Sequence, residues 1–362
     1  MHVESISTED GFLALRASWE ALIRAGAGTT PFQSWTTTHH ALRINDGVVR
    51  PLVLAALDAD GSVAGLLPLG VRTRPHGPFT WRGLASIGPK RLDFVDAVVT
   101  PDRAREVIDG CVDWLARHWS EWDELRLAPV RDDALLLATL RDTILPGILE
   151  LIVDPVGENM ALAIPDGAAA WEDVVDGDSR RTTRRILKRL GAAGFATRRV
   201  STGYPVEAAV DAFVELHARR RGEFGETSRY LAVARSELRA MVTDAVAEGG
   251  DLMLIERTGV PAAVQLTLRL RDCVSHYRLA FDSEQRNLSP GIGLLAAGLD
   301  DAVKAGVREY DFGFGAEEYK RRWANVHRTV YRVRLKNRHL GRAPRRLVSL
   351  LSDRFRKRDT VV

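Results

Sequence analysis

The residues that could do chemistry are concentrated in Tyr277–Trp323, YRLAFDSEQRNLSPGIGLLAAGLDDAVKAGVREYDFGFGAEEYKRRW. Within it, Ser289-Pro-Gly-Ile-Gly293 stands where a run with helical spacing begins. The first turn of a helix carries free backbone N–H groups and a partial positive charge, so it attracts phosphate. Glycine at two positions lets a phosphate approach the backbone closely. One reading is a pyrophosphate cradle made by Ser289, Gly291, Ile292, Gly293 and Leu294, with Arg286 close by. The other is a simple Pro-Gly helix start, and Pro290 removes one donor from any cradle.

The elements that must hold these residues follow from pattern. Asp251–Arg257, Ala262–Leu270 and Val274–Phe281 read as a three-stranded antiparallel meander. Next come a loop over Asp282–Pro290, a helix over Gly291–Ala305, a strand over Val307–Phe312, Gly-rich Gly313-Phe-Gly315, a helix over Glu317–Ala324 and a strand over Arg328–Leu335. Upstream, Ser179–Leu190 is a basic helix, and helices are expected over Val206–Arg221 and Ala232–Glu248. In the N-terminal part, Phe12–Ala25 has helical spacing, and Pro51–Leu57 and Val63–Val71 flank a hairpin turn at Asp58–Gly61. Phe79–Ile87 is a further strand, and Thr100-Pro-Asp opens a helix running to about His118. Asp123–Leu127 and Ile148–Val153 read as strands around a helix over Asp132–Arg141. Asp154–Gly167 reads as turn-rich, and the domain boundary is placed there.

Composition narrows the class. The chain has 362 residues, 45% hydrophobic and 27% charged, which is ordinary for a soluble protein of about two domains. Cys111 and Cys273 are the only cysteines and the nine histidines lack metal-ligand spacing, so neither a disulfide framework nor a zinc site is expected. No segment approaches the roughly 20 nearly uncharged residues of a membrane span, and the N-terminus lacks a secretory pattern, so a cytoplasmic location is expected. The net charge of +3 conceals an asymmetry. Residues 1–177 hold 15 Lys and Arg against 26 Asp and Glu, whereas residues 178–362 hold 36 against 22. Ser179–Val200 has eight basic residues and no acid, and Tyr319–Ser352 has no acid at all. A basic half suits an anionic partner such as a phosphorylated cofactor, RNA or an acidic lipid, or it is a solvated surface.

Taken together, these residues resemble a family. They are Phe213-Val-Glu-Leu-His217 with Arg220, then Tyr277 and Phe281-Asp282, Ser289-Pro290-Gly291, Leu294-Leu295, Gly306, Tyr310-Asp311-Phe312-Gly313-x-Gly315 and Tyr319-Lys320-x-x-Trp323. Trp19, Pro31–Trp35 and Gly65–Leu69 extend the likeness over about residues 10–336. The pattern is similar to the acetyltransferase domain of CelD-like proteins of bacterial polysaccharide biosynthesis, in the GNAT superfamily, related to the FemAB and FemX peptidoglycan transferases. The resemblance implies an α/β (α+β) fold of tandem GNAT-like domains, each a mixed, mostly antiparallel sheet flanked by helices. The domains would span 1–155 and 156–337, followed by a basic amphipathic tail over 338–362. One departure stands out. The family's cofactor loop has Gln or Arg where this chain has Leu288; Arg286 lies two residues early.

By resemblance, such a site passes an acyl group from a thioester straight to an amine, without a covalent enzyme intermediate. It needs a base for the amine proton, donors for the developing oxyanion and a proton for the leaving group. Candidates are His276 or Tyr277, of which only one can face a cleft, then Asp311, Tyr319, Lys320 and His217. Lys320 matches by position a lysine thought to steady the tetrahedral intermediate in FemX-like transferases. Each has a plainer alternative: a satisfied strand histidine, a core tyrosine, a turn-capping aspartate, a solvated lysine, a cleft-edge histidine. Trp323 reads as core.

Three functions compete. The first is an acetyl-CoA- or other acyl-CoA-dependent N-acyltransferase acting on a small-molecule or glycan amine in envelope or exopolysaccharide synthesis. The second is a FemX-like transferase using aminoacyl-tRNA. The third is a non-catalytic scaffold of a polysaccharide synthase. The tail, with Leu340, Leu347 and Phe355 among arginines, suits peripheral contact with the inner face of a membrane or docking on the protein body. DNA reading is not expected, because no helix-turn-helix or zinc pattern is present.

Overall fold

A computed structural model of the chain describes residues 1–44, 49–76, 79–87 and 94–338. The tail, from residue 339 on, and the membrane contact expected of it lie outside the described residues. The N-terminal half runs β1 (His2–Ile6), α1 (Glu9–Ala14), α2 (Arg16–Arg24), α3 (Trp35–Ile44), β2 (Arg50–Leu57), β3 (Val63–His76), β4 (Phe79–Ser86), β5 (Val98–Val99), α4 (Ala104–Arg117), β6 (Glu124–Arg131), α5 (Leu135–Asp142) and β7 (Leu149–Ala163). The C-terminal half runs α6 (Gly177–Ala192), β8 (Ala196–Arg199), α7 (Val206–Gly222), α8 (Arg235–Ala247), β9 (Asp251–Arg257), β10 (Val260–Leu270), β11 (Cys273–Phe281), α9 (Pro290–Lys304), β12 (Glu309–Phe314), α10 (Glu318–Arg321) and β13 (Val326–Asn337).

Among the described residues, thirteen strands form one sheet in the order β1-β2-β3-β4-β6-β13-β7-β12-β11-β10-β9-β8, with β5 against β3 off this path. The order reads the same from either end when β1 is matched with β8, β2 with β9, β3 with β10, β4 with β11, β6 with β12 and β7 with β13. Each half has one parallel pair, β4 with β6 and β11 with β12, and each pair is bridged by a crossover helix, α4 or α9. Each half gives its last strand to the other. β7 pairs with β12, β13 pairs with β6, and the two run side by side from Leu149↔Asn337 to Ala161↔Val326.

The stretch that reads as turn-rich, Asp154–Gly167, is strand as far as Ala163. Its turn-forming residues have local reasons to be there. Register shifts between Val330 and Tyr331, opposite Gly157 and Pro155, so proline sits at a bulge where a missing N–H is tolerated. Gly157 lies under the Phe314 ring, and a Cβ there would come within 2.7 Å of it. The boundary expected between 155 and 156 falls inside this strand. β1, β8 and α3 carry too weak a periodicity to be read from sequence, and pairing or packing fixes them instead.

Period-two alternation sets the two faces of the C-terminal sheet. Leu252, Leu254, Val264 and Leu266 pack under α7 and α8. Met253, Ile255 and Ala263 face α6 and α9 on the opposite side, beside Val274, Tyr310 and Phe312. Because the exchanged strands pair along their length, neither half can open without stripping the other's central ladder. Calorimetry of the full chain should therefore show one unfolding transition, and two well-separated transitions would show the halves to be independent.

Candidate active site

In the parallel pair of the C-terminal half, three positions are in register: Cys273↔Glu309, Val274↔Tyr310 and Ser275↔Asp311. Beyond them both strands break register on their other edges. β11 bulges at Tyr277, between Thr267↔His276 and Leu266↔Arg278. β12 bulges over Phe312-Gly313, between Asp311↔Ala161 and Phe314↔Asn159. Gly313 has φ +79°, a backbone that glycine adopts without strain. The strands diverge, leaving a wedge whose walls are His276–Phe281 and Phe312–Phe314, with the start of α9 at its mouth.

On the α9 side of the wedge stands His276, the first residue past the last paired position. It is 5% exposed, and its Nδ1 has no hydrogen-bond partner. Burial, then the charges of Lys320 and Arg278, hold its pKa down at about 3. The imidazole is therefore neutral throughout the neutral range, with one ring nitrogen free to accept. Lys320 is equally buried. Its ammonium donates to the Phe314 carbonyl at 2.7 Å and pairs with Glu317 at 2.8 Å, which fixes the charge at the end of β12. Tyr319 is half-buried, and burial raises its phenol well above its ordinary pKa, so it keeps its proton. Tyr310 is fully buried, and its hydroxyl accepts from the Gln265 amide at 3.0 Å.

The opposite face is different. Tyr277 packs on Phe32, with ring centroids 5.6 Å apart, and lies 3.9 Å from the Arg278 guanidinium carbon. Arg278 donates to the Tyr230 hydroxyl at 3.1 Å. The His217 ring meets Tyr230 edge-on, and its Nδ1 lies 2.8 Å from Ser228 Oγ. His217 thus reaches the bulge through Tyr230 and Arg278, on the α7 side, away from Lys320. Asp311 also lies on this side and is fully buried. One oxygen accepts from Asn159 at 2.7 Å and from the Gly313 N–H at 2.6 Å; the other faces Arg131 at 3.3 Å. Burial raises its pKa, and Arg131 opposes that rise. Arg131 also pairs with Asp133 and Glu309, and Arg328 binds the same two acids. The oxygens of Asp311, a catalytic candidate from sequence, are thus engaged at the junction of the two halves, as its plainer turn-capping alternative also requires at Gly313. Cys273, Glu309 and Asp311 offer ligand atoms within 4.8 Å of one another, but the two guanidiniums already balance these carboxylates.

The expected phosphate cradle is also revised. Ser289 caps α9 in a left-handed conformation, φ +54°, and its carbonyl takes the N–H groups of Ile292 and Gly293. Pro290 has none to give, so Gly291 supplies the one first-turn N–H not directed at that carbonyl. Both glycines have a packing reason to be there. A Cβ on Gly291 would meet Leu279 at 3.2 Å, and one on Gly293 would meet Ile255 and Leu190 at 2.7 and 2.8 Å. The glycines let α9 sit tight against the sheet and α6. Leu294 is fully buried in that contact, and Arg286 is exposed on the loop before it. By itself this helix start is a poor seat for a pyrophosphate.

The N-terminal half contains the same divergence, between β4 and β6 after Ala85↔Arg126. There the chain fills its own gap. Val95 donates to the Pro129 carbonyl of β6, and Val98–Val99 pair with β3. Asp96, with its pKa pushed up to about 6 by burial, accepts from the N–H groups of Ala97, Leu135 and Leu136, anchoring this segment to α5. Of the two wedges, the C-terminal one is the candidate site.

Comparison with known proteins adds the following. Residues 177–321 match the family model described as "Acetyltransferase (GNAT) domain". They form a GNAT-type acetyltransferase domain. The GNAT domain begins at α6, contains the wedge and ends within α10. Over the whole chain, the fold is similar to that of FemX, with TM-score 0.62 and 13% identity, covering 91% of this chain and 96% of that one. It is also similar to L-PGS from Bacillus licheniformis, with TM-score 0.56 and 12% identity over 94% and 96% of the two chains. No curated protein sequence matches this chain.

Two measurements test this description of the GNAT domain. Asp311→Ala should destabilise the protein by about 3–5 kcal/mol in denaturant titration, since it leaves Arg131 buried without its innermost partner; a loss below about 1 kcal/mol would mean that the network is not structural. His276 has a folded pKa of about 3 against an ordinary value of 6.5. Its contribution to stability is complete above pH 6.5 and falls as the pH drops towards 3, by about 1.4 kcal/mol per unit. The melting temperature of His276→Gln should therefore fall less steeply than wild type across that window. Parallel slopes would contradict a buried neutral imidazole.

Proposed function

We propose that the protein transfers an acyl group from an activated carrier directly to an amine acceptor in the wedge between β11 and β12. One observation carries this reading: a buried, neutral imidazole with an unpartnered nitrogen stands where β11 and β12 stop pairing, beside an ammonium fixed on the end of β12. His276 Nδ1 accepts the proton that the amine loses as its nitrogen bonds to the acyl carbon. Lys320 stabilises the negative charge that gathers on the acyl oxygen. Tyr319, with its raised pKa, retains a proton for the departing group of the carrier. Tyr277 and His217, on the α7 side, border the acceptor's approach. The resemblance to polysaccharide-biosynthesis proteins supports an amino sugar or similar amine of envelope synthesis as acceptor.

Acyl-CoA is the first donor to test, since a CoA thioester supplies an activated acyl carbon and a thiolate leaving group. Arg286, Ser289, Gly291 and Ile292 line the place where its pyrophosphate is expected, with the shortage of N–H donors described above. A second reading, aminoacyl-tRNA as donor, is favoured by the arginine-rich α6 beside that place and by the fold shared with FemX. The test is transfer from acetyl-CoA, followed by thiol release, and from aminoacyl-tRNA, followed by loss of the charged ester, against a panel of amines. With whichever donor reacts, Lys320→Met should lower kcat about 100-fold or more and His276→Gln by 10²–10⁴ on the order of general-base effects, with unchanged circular dichroism. Wild-type rates in both variants would place the chemistry elsewhere.

A further inference from the structure

The outer flank of α6 carries Arg180, Arg181, Arg184, Arg185 and Lys188 along an open groove of about 480 Å³. Apart from half-buried Arg180 these side chains are exposed, and they recur at successive turns, about 5.4 Å apart along the helix. Little opposes their charge. Arg181 meets Asp178 at 2.9 Å and Arg184 meets Glu172 at 3.5 Å; among the described residues, no acid pairs with Arg185 or Lys188. The apolar side of the helix, Ile186 and Leu190, is turned inward, so the flank presents charge without an apolar surface for inserting into lipid.

The position of the flank is specific. Leu187, between Arg184 and Lys188, packs in the cluster that holds Ile292 at the start of α9 and Tyr319 on α10. The groove therefore lies on the helix that packs against the start of α9. The helix start that a phosphate would ordinarily use has few donors there: Pro290 has no N–H, those of Ile292 and Gly293 serve Ser289, and Gly291 alone is left. Guanidinium groups bind phosphate in a bidentate manner and can replace backbone donors.

We propose that the α6 flank, chiefly Arg181, Arg184, Arg185 and Lys188, holds the phosphate groups of a nucleotide-bearing acyl carrier, in place of the first turn of α9. The inference rests on the transferase reading only for the nature of the carrier. The same phosphoester chemistry is offered by CoA and by the end of an RNA, and these are separate arms of the test.

The test is binding by the full chain of CoA, by calorimetric titration, and of a labelled 12-nucleotide single-stranded RNA, by anisotropy, each at several salt concentrations. The R184E/R185E/K188E variant is compared with wild type and with R24E/R105E/R117E, which reverses three exposed charges in the other half. Circular dichroism checks that both variants fold. The expected result is that at least one carrier binds wild type, that the α6 variant binds it at least ten-fold more weakly, and that the control changes less than two-fold. If RNA is the carrier, the slope of log affinity against log salt should also fall by about 2, as for three lost phosphate contacts on a single strand. Loss in the CoA arm or in the RNA arm identifies the source. The proposal is overturned if neither carrier binds wild type, or if the α6 variant binds as wild type does. Binding through α6 without acyl transfer would sink the catalytic reading and leave the site standing. Transfer by the α6 variant with an unchanged donor KM would sink the site and leave the catalytic reading standing.

Discussion

The pairing of β7 with β13 down the middle of the sheet is the constraint on which the rest depends. Each half lacks its own last strand and completes itself with its partner's. The consequence reaches the candidate site directly. Asn159, on the last strand of the N-terminal half, holds Asp311; Gly157 on the same strand seats the Phe314 ring; and the Phe314 carbonyl fixes the Lys320 ammonium. The N-terminal half thus supports, from behind, the Phe312–Phe314 wall of a wedge that the C-terminal half builds.

The sheet keeps two kinds of polar chemistry apart. On the α7 side, Arg131 and Arg328 are saturated by Asp133, Glu309 and Asp311, a network that joins strands from both halves. Ion pairs this deep contribute little net stability, because desolvation offsets their attraction; their loss is costly because it strands a charge. On the α9 side, the polar groups are fewer and less satisfied. His276 keeps a nitrogen without a partner, a state that folded proteins rarely tolerate away from function. The first set is committed to joining the two halves, and the second contains the residues of the proposed site.

The two halves also show that one topology can give different outcomes. Both contain a parallel pair that diverges after three positions. In the N-terminal half, the segment through Val95 and Asp96 fills the gap and is anchored on α5. In the C-terminal half, the chain instead turns away into α9 after β11, and no segment pairs between β11 and β12 among the described residues. Fold alone therefore assigns no activity.

Much of the architecture was legible before folding was considered. The β9–β11 meander, the crossover helix α9 and the basic character of α6 follow from alternation, helical spacing and charge, all of which are local in sequence. The resemblance placed the expected site mainly in the second half of the chain. Local pattern failed where residues meet across long separations. Asp154–Gly167 looked like turns because proline and glycine usually mark them, and a bulge and an overlying aromatic ring gave them another use. From sequence, Asp311 and Tyr277 stood ahead of His276, which read more readily as a satisfied strand histidine. Only the pleat, which sends neighbouring residues to opposite faces, and the arrival of Arg131 from 180 positions away separated a structural carboxylate from an open imidazole. Gly291 and Gly293 carried a phosphate-like spacing, but whether a glycine admits a ligand or a neighbouring helix depends on what packs against its missing Cβ, and that is decided by tertiary structure alone.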